Sequence, residues 1–112
     1  MQSTCDIHVG ACGFRIRATV LSDDSQHVTF DLESDCGKIA ALGRRLAEAG
    51  TVDAYGEIDP RAGSVLLATA RDALTGCCAG CVVQVGLFKA MQVAAGLALP
   101  KDIIIKLETS HD

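Results

Sequence analysis

Three of the chain's six cysteines fall within five residues, Cys77, Cys78 and Cys81, in the stretch Thr75-Gly76-Cys77-Cys78-Ala79-Gly80-Cys81. Cys78-x-x-Cys81 has the spacing at which one short turn aims two sulfurs at a single metal ion or cluster, and Ala79 and Gly80 between them permit the tight backbone this needs. One such pair is half a tetrahedral site. A second pair at zinc-ribbon spacing is absent, so the remaining ligands must come from elsewhere in the chain. Cys12, in Gly10-Ala11-Cys12-Gly13, and Cys36, in Ser34-Asp35-Cys36-Gly37, both stand where one pattern of residues gives way to another. The expected set is Cys12, Cys36, Cys81 and either Cys77 or Cys78. Four thiolates suit zinc and an iron-sulfur cluster equally, and the residues do not choose between them.

Two other readings compete. Cys78-Ala79-Gly80-Cys81 ahead of an apolar helix is where a dithiol redox pair has a lowered thiol pKa, although such a motif ordinarily follows a strand and here follows a helical pattern. Alternatively, the thiols are small buried hydrophobes that pack a core, without catalysis, in a structural or interaction protein. Cys5, near the N-terminus, is read as packing.

The elements that must position these residues follow from periodicity. Ile7 and Val9 alternate with polar or small neighbours. Phe14, Ile16, Ala18 and Val20 do the same, and so do Val28, Phe30 and Leu32 after the polar turn Ser22-Asp23-Asp24-Ser25. A period of two predicts three half-buried strands, the second and third forming a hairpin. At Ser34 and Asp35 the period changes to that of a capped helix with Ile39, Leu42 and Leu46 inside, ending at Gly50. Thr51 to Pro60 is irregular and acidic, with a helical turn at Asp53 to Tyr55. A second helix is expected from Arg61 to Leu74 and a third, apolar around most of its circumference, from Val82 to Leu99. After Pro100, Ile103, Ile105 and Leu107 alternate as a last strand. The order predicts an α+β fold in which a mostly antiparallel sheet, three N-terminal strands plus a C-terminal strand, is covered on one face by three helices. Strand ends and helix starts then carry Cys12, Cys36 and Cys81 to one edge of the sheet.

The 112 residues are expected to form one domain, 1–112, large enough to bury a core without disulfide help. A net charge of −4 and a single Tyr with no Trp give neither attraction to phosphate backbones nor a stacking platform, so no nucleic acid partner is expected. No export signal opens the sequence, which points to the cytoplasm, where thiols stay reduced. The run from Val82 to Leu99 carries Gln84, Lys89 and Gln92 and reads as a buried helix and not a membrane span. On it, Val83, Leu87, Ala90 and Ala94 can face the sheet, leaving Phe88, Met91 and Ala95 to be covered by the other helices or by a second copy in a homodimer.

Other constellations rank lower. His8, His27 and His111 read as solvated, with His8 nearest the Cys12 region. Asp53, Glu57 and Asp59 read as a solvated acidic loop without calcium-loop spacing. No phosphate loop or nucleophile elbow is present.

Taken together, "VGACGF", "ESDCGKIAAL", "CAGC" and "LFKAMQVAAGLALPKDIIIKL" resemble a family of small uncharacterised proteins from anaerobic bacteria and archaea, over nearly the whole chain. The resemblance implies no catalytic residue. It implies an anaerobe's cytoplasm, where iron-sulfur chemistry is common. The expected function is a small cytoplasmic protein holding a metal ion or iron-sulfur cluster on cysteine thiolates. It would act as a carrier, sensor or electron-transfer module that meets a redox or cluster-acceptor protein.

Overall fold

A computed structural model of the chain describes all residues except Ala11, Pro60, Cys78, Ala79, His111 and Asp112, and gives only the backbone of Gly80 and Cys81. The element order is β1 (Gln2–His8), β2 (Arg15–Leu21), β3 (His27–Glu33), α1 (Gly37–Glu48), β4 (Val52–Asp53), α2 (Ala54–Glu57), α3 (Val65–Ala73) and α4 (Gly80–Ala94). The four strands form one antiparallel sheet in the order β1-β2-β3-β4. The α+β architecture is the one the periodicity predicts.

Alternation decides which side of the sheet is covered. Ile7, Ile16, Ala18, Val20, Val28 and Phe30 point inward and are buried, while Thr4, Asp6, His8, Arg15, Arg17 and Glu33 stay exposed. α4 packs over β1 and β2, α1 over β3, and α3 bridges α1 and α4. Removing these side chains from water is the main force holding the two layers together. Ile39, Leu42 and Leu46 seat α1, as their helical spacing requires, and Val83, Leu87, Ala90 and Ala94 seat α4. Met91 and Ala95 are also buried within the chain, so the helices of the same copy cover them. Among the described residues no helix is long and apolar enough to cross a membrane.

The structure departs from the sequence pattern in four places. The fourth strand is Val52–Asp53, and residues 99–110 are neither helix nor strand. Alternating Ile103, Ile105 and Leu107 signal strand propensity, but a strand also needs a partner edge, which no local pattern supplies. α4 ends at Ala94 and not near Leu99, because Gly96 turns the chain at a φ of 76°. α1 begins after Cys36, and its N-cap is Cys36 itself with no side-chain cap, in place of the Ser34/Asp35 cap. Ser34 Oγ instead accepts from the Cys36 amide at 3.2 Å.

α3 starts at Val65 and not at Arg61, and the reason lies in the acidic loop. Glu57, read from sequence as solvated, is 7% exposed. Its carboxylate accepts hydrogen bonds from the Ser64 hydroxyl, the Val65 amide at 2.8 Å and the Leu66 amide at 3.2 Å. Ser64 in turn caps the Leu67 amide at 3.0 Å. A helix N-terminus presents unpaired N–H groups and positive dipole charge, so an anion there is satisfied even when buried. Glu57→Ala strands these donors and is expected to lower stability by about 2–3 kcal/mol, against about 1 kcal/mol for Ser64→Ala, in chemical denaturation.

The β2–β3 hairpin turns through Ser25, at a φ of 62°, and is held by Asp24. One carboxylate oxygen accepts from the Gln26 and His27 amides at 2.9 and 2.7 Å, and the other meets His27 Nδ1 at 2.7 Å. The hydrogen bond from the His27 ring and the turn amides hold Asp24 well below the usual carboxylate range. The same hydrogen bond raises His27 above its ordinary value of 6.5, with the charges of Asp24 and Asp53 adding to it. A raised histidine contributes stability fully below its unfolded pKa and loses it as pH rises through the folded one. The Asp24 contribution is lost instead as pH falls below the carboxylate range. Titration of His27 by NMR should give a midpoint above 6.5, and Asp24→Asn should bring it down.

Candidate metal centre

The strand registers carry the cysteine-bearing turns to one end of the sheet. β1 and β2 pair from Gln2 opposite Leu21 to His8 opposite Arg15, so the loop holding Cys12 turns where β2 begins. Arg17 stands opposite Glu33, so β3 finishes at that same end and delivers Cys36 to the start of α1. The loop around Cys12 closes on itself, the Gly13 amide donating to the Val9 carbonyl at 3.0 Å and the Val9 amide to the Phe14 carbonyl at 3.1 Å. Gly13 adopts a φ of 74°, which its missing Cβ allows.

The third segment is brought in by Lys38. Its Nζ donates to the Thr75 carbonyl at 3.0 Å and ties the first turn of α1 to the C-terminal end of α3. Arg45 and Asp72, 2.7 Å apart, hold the same two helices together farther along. The Cys77 amide donates to the Leu74 carbonyl at 2.9 Å, and α4 begins at Gly80. The Cys12 loop and Cys36 therefore share one end of the sheet, and the segment leading through Cys77 to α4 is tied to the first turn of α1 beside Cys36. The sequence reading passed over Lys38. A lysine in the first turn of a helix opposes that helix's dipole, and here the cation is used on the carbonyl end of the neighbouring helix, where it is favoured.

The thiols differ in surroundings. Cys12 is exposed, whereas Cys36 and Cys77 are half-buried against the core. Cys36 occupies the N-cap position of α1, which makes no side-chain cap hydrogen bond, and exposed Asp35 stands immediately before it. Cys78, and the side chain of Cys81, lie outside the described residues, and among those described no three His, Cys, Asp or Glu side chains are grouped to hold a metal ion. His8 closes β1 beside the Cys12 loop, and His27 belongs to the opposite hairpin.

Cys5 stands apart in the middle of β1, under α4. Burial, and then the charge of Asp6, push its thiol pKa upward. In reduced, metal-free protein at neutral pH, iodoacetamide should modify Cys12 well ahead of Cys5, and the Cys5 rate should climb as pH rises. Peptide mapping by mass spectrometry reads both, and equal rates at the two sites would contradict this assignment.

No curated protein and no solved structure matches the chain. A family model does match, over residues 3–107, from β1 through the segment that follows α4. The chain thus belongs to DUF6951, a family of unknown function.

Proposed function

We propose that the protein binds a metal ion or iron-sulfur cluster through Cys12, Cys36, Cys81 and one of Cys77 and Cys78. The observation that supports this reading is that the β1–β2 loop and the start of α1 lie at one end of the sheet, with Lys38 tying the latter to Thr75 just ahead of Cys77. These segments lie far apart in sequence, and each brings a cysteine. Cys36 sits at the N-cap of α1, where no side-chain cap hydrogen bond competes for its position. Such a group would be held at the rim, with Cys12 exposed to an incoming partner, as suits a cytoplasmic carrier, sensor or electron-transfer module. The resemblance to proteins of anaerobes favours a cluster over zinc.

The dithiol alternative, with Cys78 and Cys81 forming a reversible disulfide, has less support. α4 is preceded by helix α3 and a short loop, not by the strand of a βαβ unit.

Purification without oxygen, followed by metal and acid-labile sulfide analysis and an absorption spectrum, tests the proposal. The expected protein carries stoichiometric zinc or iron, and Cys12→Ser or Cys36→Ser lowers the content without unfolding the chain. A colourless, metal-free wild type under these conditions overturns it.

A further inference from the structure

β1 is the outer strand of the sheet, and among the described residues the far edge of its seven residues pairs with no strand. Such an edge offers a row of backbone donors and acceptors to any extended segment, and proteins rarely leave one of this length uncovered. Beside it the chain carries a segment of matching character. After α4, residues 103–107 read Ile-Ile-Ile-Lys-Leu, and Ile103, Ile104, Ile105 and Leu107 are 47%, 78%, 57% and 91% exposed. Burying an isoleucine or leucine side chain gains about 1.5–3 kcal/mol relative to leaving it in water, so four together are a substantial unspent driving force. β-branched residues in an extended run also favour a strand.

Between edge and segment lies an open groove of about 710 Å³, walled by β1, the outer flank of α4 and residues 100–105. Cys5 and Ile7 line it from the strand, and Val85 and Val93 from the helix. Val85 is itself 46% exposed. A strand added here would continue the inner face of the sheet under α4 with every second side chain and leave the alternate ones on the polar outer face, beside Thr4 and Asp6.

We propose that residues 103–107 of each chain add as a strand to the β1 edge of a second copy, giving a two-fold, strand-exchanged homodimer. The segment borders the groove of its own chain, yet among the described residues no backbone hydrogen bond passes between it and β1, and its apolar side chains remain 47–91% exposed. Three consecutive isoleucines make both faces of the segment apolar, the pattern of a strand covered on both sides. Folded back on its own chain the segment would bury Ile103 and Ile105 and strand Ile104 on a polar face. In a two-fold pair the outer faces of the two exchanged segments can approach each other. Reciprocity places two such edge-and-segment contacts in one pair.

The test combines mass measurement over a concentration series with hydrogen exchange on the full chain, kept reduced and in whatever metal state it is isolated. The expected particle has twice the 11.7 kDa chain mass, with amides on the outer edge of β1 becoming protected as dimer forms. Ile103→Asp with Ile105→Asp should weaken dimerisation about tenfold or more and deprotect those amides, while amides of α1 and α3 stay protected and show that the variant is folded. Three results overturn the proposal: a wild type that remains monomeric, β1 protection that does not change with concentration, or a dimer that the double variant leaves intact. The second result would assign the edge to the chain's own segment, and the third would place the dimer on another surface.

Discussion

The two layers are locked by the contact of Gly86 with β1. A Cβ at this position of α4 would stand 2.6 Å from Ile7 Cδ1, 2.9 Å from Ile7 Cγ1 and 3.3 Å from Cys5 Sγ. A larger side chain at this position would require the Ile7 side chain, whose outer atoms it meets, to move aside. A glycine inside a helix costs roughly 1 kcal/mol relative to alanine, and close packing of Ile7 beneath Val83 and Leu87 must offset it. The same contact lies beside half-buried Cys5, in mid-strand and apart from the cysteine-bearing turns at the end of the sheet.

The helix ends extend the same arrangement through charge. α3 takes its anion from Glu57 at one end and its cation from Lys38 at the other. Both partners come from neighbouring elements, so satisfying the α3 dipole also fixes α2 and α1 against it. The N-terminus of α1 is left out of this system. Cys36 stands at its cap, with no side-chain cap hydrogen bond there.

Much of this was legible from residue order. β2, β3 and α1 each contain several consecutive repeats of one period, and the buried residues are the ones those periods nominate. β4 was not legible, because two residues cannot establish a period and Val52 joins the sheet only through its pairing with Val28. Glu57 was misread for a related reason. A carboxylate in an acidic loop looks solvated until the start of a helix eight residues later folds onto it. The segment at 103–107 shows the converse, a strand pattern without a strand, since propensity is local and pairing is not. That the Cys12 loop and Cys36 lie at the same end of the sheet could be anticipated from element ends. The tether that brings the third segment in, Lys38 to the Thr75 carbonyl, has no short-range signature.

The Glu57 cap also bears on how the fold can change over time. Because the carboxylate grips Ser64, Val65 and Leu66, the two ends of the intervening 58–63 loop are fixed by contacts that do not involve the loop itself. Loop closure costs only about 0.6 kcal/mol for each doubling of length once the ends are held. That connection is consequently where relatives can lengthen or shorten the chain with least disturbance, on the side of the molecule away from the cysteines.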